Sequence, residues 1–262
     1  MMTLTPGLRY DMPATFGPSP IPDRTFVTDA GALVLTFETL AEAVRPLVPR
    51  HFSVPERPMI SVAYVYYRDV DYLGGRGYNE IVVTVGAEHG EGDAKIAAGY
   101  SLILWVDQIG ALLAGREYMG LPKLFGTIPE LEFDGERAHF TCHEYDALLL
   151  EGAAAGLSPV PGDRLAKMND RAGEVSTFGW KYIAGPGGTA HIDCPMVNVM
   201  RWSYKSAWAG TGSVRFHMRD RREAPLSYQA VSILSALPQI GAIKAFYGRG
   251  DATIDRTATR FA

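Results

Sequence analysis

Cysteine is nearly absent: Cys142 and Cys194 are the two in 262 residues. Both sit in strand-like surroundings and build no disulfide framework, so a reducing, cytoplasmic setting is the default expectation. An excess of one charge is also lacking. The 25 basic and 29 acidic residues leave a net charge of −4, with no long block of either sign. That balance speaks against a nucleic-acid partner held on a basic face and against a segment that binds anionic membranes. Apolar runs such as Leu102 to Val106 are far too short to span a bilayer. Residues 1–22 hold Pro6, Pro13, Pro18, Pro20 and Pro22 and no apolar core of signal-peptide type. They read as an extended arm lying on the body or on a neighbouring subunit. No internal repeat and no low-complexity linker divides the chain, so one domain over residues 1–262 is expected.

Strand-like segments dominate what is there. Thr25–Phe37 is rich in Val, Leu and Thr, and Met59–Tyr67 alternates and carries three tyrosines. Ile81–Ala87, Gly99–Val106 and Leu131–Tyr145 continue the series, the last with Asp134-Gly135 as a hairpin turn signal. Further strands are expected at His191–Tyr204 and Ser213–Met218. Helices are few. Leu40–Val48 reads as a short one ending near Pro49. Asp107–Tyr118 reads as a better one, with Asp107 placed to cap it, Ile109, Leu112 and Leu113 on one face, and Gly120 and Pro122 to stop it. A third is expected between Ser227 and Phe246, interrupted at Pro238. Many strands that do not alternate strictly with helices indicate an α+β protein with a curved antiparallel sheet or barrel, and a doubly wound dinucleotide fold does not fit.

Lys123 is the residue with the most chemical content. It follows the Gly120 and Pro122 stop, with Leu121, Leu124 and Phe125 around it. An ammonium among apolar side chains loses hydration, which favours the neutral amine, and a neutral lysine condenses with a ketone or aldehyde to give a Schiff base. The chain is extended beyond Pro122, so Lys123, Phe125 and Thr127 face one way and Leu124, Gly126 and Ile128 the other. From residue types alone, the commoner outcome is a lysine lying along the apolar strip with its head in water.

Other constellations carry less. His139, Cys142, His143 and Glu144 suggest metal ligands, but on a strand His139 and His143 stand roughly 13 Å apart and Cys142 points to the opposite face. Gly74-Gly75-Arg76-Gly77 and Gly185-Pro186-Gly187-Gly188 match no phosphate-binding loop and read as turns. No Gly-x-Ser-x-Gly elbow is present. Arg249-Gly250-Asp251 is a tripeptide common by chance. Glu80 follows a tight loop and opens the apolar strand Ile81-Val82-Val83, where a carboxylate could move a proton. Spacing alone favours a Glu80 at the surface or paired with Arg76 or Arg68. Tyr247, placed at the end of the last expected helix, is either a core or interface tyrosine or a phenol acid.

The stretch Gly115-Arg116-Glu117 followed by Pro122-Lys123 resembles the active-site segment of the acetoacetate decarboxylase-like superfamily. Ala41–Pro49, the Leu73–Glu80 loop, Tyr100–Asp107 and Ala207-Trp208-Ala209-Gly210 follow the same order and similar spacing, so the resemblance covers nearly the whole chain. It implies a cone-like antiparallel β-barrel flanked by helices, usually in a homo-oligomer, with no organic cofactor or metal. By position it makes Lys123 the Schiff-base lysine and Glu80 the catalytic glutamate, with Tyr247 the counterpart of a tyrosine in members with aldolase activity. Tyr78, Tyr118 and Met119 are expected to border the substrate, and Arg116 and Glu117 to be structural. Two departures stand out. The second lysine of true acetoacetate decarboxylases is Leu124 here, and the counterpart of their early arginine falls at or near Ala30. The expectation is therefore an aldolase-dehydratase that joins pyruvate or a similar 2-oxo acid to an aldehyde, or runs the reverse. Alternatives are a β-keto acid decarboxylase using the same imine, a non-catalytic carbonyl or acid binder, and a cyclase or dehydratase on a larger polyketide-like substrate with a wide pocket.

Overall fold

The computed structural model describes residues 4–92, 95–172 and 175–261. Eleven strands form one sheet: β1 (Arg24–Glu38), β2 (Met59–Val70), β3 (Arg76–His89), β4 (Ile96–Val106), β5 (Lys123–Phe125), β6 (Glu132–Phe133), β7 (Ala138–Glu144), β8 (Ala147–Pro159), β9 (Val175–Ala184), β10 (Ala190–Phe216) and β11 (Ile240–Phe261). Among the described residues four α-helices accompany them: α1 (Ala41–Val44), α2 (Ile109–Glu117), α3 (Gly162–Ala172) and α4 (Tyr228–Ser235). Strands β11, β1, β2, β3, β4, β9 and β10 pair in that order, and β10 pairs back to β11, so seven strands close a curved ring. Strands β8, β7 and β6 extend outward from β10, and β5 pairs with β4. Most pairings are antiparallel; β4 runs parallel to both β5 and β9. The α+β architecture matches the expectation from sequence.

Alternation along the strands separates two apolar faces. Leu33, Leu35, Ile60, Val62, Tyr64, Ile81 and Val83 lie in one cluster, with Trp105, Phe140, Phe178 and residues of α4. Their neighbours Ala30, Ala32, Val65, Tyr67 and Tyr78 lie in a second, with Val106, Ala111 and Ala252. Across this second face, residues of non-adjacent strands meet: the rings of Tyr67 (β2) and Trp202 (β10) are 6.1 Å apart. Strands β2 to β4 contribute apolar residues to both faces because both are covered.

Several expectations are corrected. His191–Tyr204 and Ser213–Phe216 belong to a single strand, β10, which stops two residues short of Met218 and whose 27 residues carry a register shift between Tyr204 and Ser206. The shift lets one half pair with β9 and the other with β8 while β11 lies along both. The helix expected through Phe246 ends at Ser235, and Ile240–Phe246 opens β11; pairing with β1 and β10 overrides local propensity there. Asp107 does not cap α2: it accepts the Asn79 N–H at 2.9 Å, and the Gln108 side chain caps the helix by accepting the Gly110 N–H. The expected Leu40–Val48 helix is one α turn followed by a 3₁₀ turn that includes Pro46. Strands β8 and β9 and helix α3 are additional to the elements expected from sequence. In β8 an aromatic ring lies against Gly152: a Cβ there would come within 2.3 Å of the Phe140 ring.

Overpacking of that kind gives a direct check. Gly152→Ala is expected to lower stability by about 1–3 kcal/mol in denaturant melts, by pushing Phe140 out of place.

Candidate active site

The site is assembled around the turn that ends α2. Gly120 adopts φ +65°, and a Cβ there would lie 2.8 Å from the Lys181 nitrogen, so glycine is required on both counts. The Leu121 N–H then returns to the Gly115 carbonyl at 3.0 Å, and the Pro122 carbonyl accepts from Leu104 at 3.1 Å. Lys123 thereby starts β5 in register with Leu104. Its side chain runs back over α2 at Gly115, where a Cβ would meet Cδ and Cε at 2.7 Å. The Arg116 guanidinium donates to the Lys123 carbonyl at 2.9 Å. The Gly-Arg pair thus has a physical meaning: the glycine vacates the space that the lysine fills, and the arginine holds the lysine backbone.

Lys123 is 5% exposed and Glu80 6% exposed. The ammonium donates to Glu80 Oε2 at 2.8 Å, forming a buried ion pair between residues 43 apart in sequence. Of the two sequence readings of Glu80, the surface or Arg76/Arg68 pairing is overturned. Arg68 instead holds the Asn79 side chain and pairs with Glu130. Asn79 is tied on its other side to the Ile128 carbonyl, fixing the strand position from which Glu80 projects.

A cavity opens beside the pair, lined by Tyr67, Tyr72, Tyr78, Met119, Arg256 and small residues of α2. The cavity is small, with a volume of about 30 Å³. The Tyr78 ring centre lies 5.7 Å from the Lys123 ammonium and 4.9 Å from the Tyr67 ring. Burial, and next the charge of Glu80, pushes both phenols well above the ordinary tyrosine pKa, so they remain protonated hydrogen-bond donors. Among the described residues no cluster of three or more His, Cys, Asp or Glu could hold a metal ion.

Of the residues singled out by sequence, Lys123, Glu80, Tyr78 and Met119 come together at this cavity. Tyr118 and Tyr247 do not line it. Tyr118 is at the C-terminal end of α2, where its hydroxyl donates to the Arg256 carbonyl at 3.1 Å and the Arg9 guanidinium covers its ring. Tyr247 lies on the other apolar face, stacked on Trp208 and edge-on to Phe133. It was assigned to a helix end, whereas strand alternation in β11 sends Tyr247 to the face opposite Ile254 and Arg256. Leu124 likewise packs on that other face, so a side chain at position 124 is not a neighbour of the Lys123 amine. The early position near Ala30 holds no cation; Arg256, from β11, supplies one instead. Sequence reading missed Tyr67, Tyr72 and Arg256. The only trace of Arg256 was a charged residue in the alternating segment Thr253–Thr257.

Fold and lysine turn together define a class already suggested by the Gly-Arg-Glu…Pro-Lys segment. The profile of the acetoacetate decarboxylase (ADC) family matches residues 11–259, and the chain belongs to that family. An acetoacetate decarboxylase of Burkholderia vietnamiensis is 25% identical over 218 residues, 83% of each chain. The solved acetoacetate decarboxylase of Legionella pneumophila shares the fold with a TM-score of 0.73 at 16% identity, covering 93% of this chain and 88% of that one. The enduracididine biosynthesis enzyme MppR, solved with the condensation product of pyruvate and imidazole 4-carboxaldehyde, has a TM-score of 0.66 at 15% identity, with 98% and 97% covered.

Removing one partner of a buried pair leaves the other charge uncompensated. Lys123→Met is therefore expected to cost about 3–5 kcal/mol of unfolding free energy, and adding Glu80→Gln to recover most of it. Equal stability of the single and double variants in chemical denaturation would contradict the pair.

Proposed function

We propose that this chain is a lysine-dependent carbon–carbon lyase that joins pyruvate, or a similar small 2-oxo acid, to an aldehyde and dehydrates the product, or runs the reverse. The observation that carries it is the buried Lys123–Glu80 contact at the wall of a small cavity. Transfer of the ammonium proton to Glu80 frees the amine to attack the ketone carbon. Protonated Glu80 returns that proton to the carbinolamine hydroxyl, water leaves, and the resulting protonated imine withdraws electrons from the adjacent methyl group. Glu80, again a carboxylate, takes a methyl proton, leaving an enamine. The enamine carbon attacks the aldehyde, and the new alkoxide takes a proton. Loss of a second proton from the former methyl carbon and of hydroxide expels one water. A further water hydrolyses the imine, freeing an unsaturated 2-oxo acid and the lysine amine. The imine is the electron sink, so the scheme requires no metal or organic cofactor.

Two observations support condensation. It needs groups that take and return protons, and Glu80 with the protonated phenols of Tyr67 and Tyr78 supplies them at the amine. MppR, with the same fold, was solved with a pyruvate–aldehyde condensation product. The second reading, decarboxylation of a β-keto acid through the same imine, is favoured by the relatives named acetoacetate decarboxylase. Because Leu124 points away from the amine, the missing second lysine does not itself rule that reaction out. The narrow cavity disfavours a large polyketide-like substrate.

Borohydride reduction in the presence of pyruvate, and separately acetoacetate, followed by peptide mass mapping, tests the proposal. The label is expected on Lys123 and is expected to vanish in Lys123→Ala; folded protein that traps neither ketone refutes it. Formation of an absorbing enone from pyruvate and an aromatic aldehyde, against release of carbon dioxide from acetoacetate, separates the two reactions. Gly115→Ala, which crowds the lysine stem, is expected to slow trapping at least tenfold, about 1.4 kcal/mol of barrier.

A further inference from the structure

Arg256 lies in the cavity wall with 2% of its surface exposed. Several groups fix it in place. Its backbone N–H donates to the Asp23 carbonyl at 2.9 Å, and its carbonyl accepts from the Tyr118 hydroxyl. Nη1 donates to the Pro22 carbonyl at 3.0 Å and to Thr25 Oγ1 at 2.8 Å, and the Tyr72 ring centre is 5.2 Å from Cζ. All of these partners are neutral. Among the described residues no carboxylate is within ion-pair distance of the guanidinium, and Nε is buried without any hydrogen-bond partner. The acidic residue next in sequence, Asp255, is on the other side of the strand and pairs with Arg24 and Arg201.

A buried guanidinium without a counter-anion is costly, and a neutral donor would satisfy Pro22 and Thr25 equally well. Lys123 and Glu80 cancel one another's charge, so Arg256 gives the cavity lining one positive charge in excess. We propose that Arg256 holds the carboxylate of the substrate while the ketone of the same molecule condenses with Lys123. This assignment rests on the lysine reading above and narrows it to a substrate class: small 2-oxo acids whose carboxylate survives the reaction. A cation on a carboxylate stabilises charge that condensation keeps throughout and that decarboxylation must disperse as carbon dioxide leaves. Tight gripping therefore lowers the ground state of the second reaction more than its transition state.

The test uses oxamate, a non-electrophilic isostere of pyruvate, with methyl oxamate as its neutral control, beside trapping of pyruvate and of acetone on Lys123. Arg256→Gln retains a donor toward Pro22 and Thr25, and Arg256→Lys retains the charge. Calorimetry is expected to show oxamate binding that weakens roughly 30-fold or more in Arg256→Gln and recovers in part in Arg256→Lys. Half-saturation for pyruvate trapping is expected to rise by a similar factor while that for acetone stays within about twofold. Equal losses for pyruvate and acetone, or no loss for oxamate, would overturn the assignment. So would a wild-type protein that does not prefer oxamate to methyl oxamate, including one that binds neither, a comparison that stands even if the variants fail to fold. Oxamate binding that depends on Arg256 in a protein that traps no ketone would retain the carboxylate site and remove the imine chemistry. Trapping on Lys123 without oxamate preference would do the reverse.

Discussion

A buried ion pair between Lys123 and Glu80 is the interaction to which the surrounding structure is fitted. Two charges taken out of water are tolerated only when each meets the other in good geometry, and any loosening leaves a bare charge in an apolar wall. The turn at Gly120, the register of Lys123 with Leu104 and the anchoring of Asn79 all serve that single distance of 2.8 Å. Gly115 has the same origin: the lysine stem occupies the volume where any other residue would place its first carbon.

The remaining walls come from far apart in the chain. Helix α2 contributes small residues, β3 contributes Tyr78 and Glu80, β2 contributes Tyr67, and β11 contributes Ile254 and Arg256. Closing seven strands into a ring brings these together, because ring closure sets β11 against both β1 and β10. A register slip of one residue in β11 would exchange Arg256 for Asp255 at the cavity and reverse its charge.

How much could be read beforehand follows from this geometry. Strands β1 to β4 were legible because both of their faces are covered and their residues are β-branched or aromatic. Lys123 was legible through its local stop signal and the motif around it, and Glu80 through its place before an apolar strand. Their contact was not, since spacing within one segment says nothing about a partner 43 residues away. Tyr247 was placed on a helix by its apolar neighbours, and only the pairing of β11 with β1 and β10 shows which face it occupies. Arg256 sits among threonines and charges that read as a solvated edge; its burial depends on Tyr72, Thr25 and Pro22, none of them near it in sequence. Leu124 is the converse case. A substitution conspicuous in the string lies on the face away from the amine.

Segments far apart in the chain meet at this chamber: Pro22 and Thr25 grip a guanidinium more than 230 residues downstream. Contacts of such long range carry a chain-closure entropy that local contacts do not. A chain lacking β11 therefore holds Lys123 and Glu80 but not the part of the cavity wall that Ile254 and Arg256 complete. Closing the ring of strands and completing the cavity wall are one event.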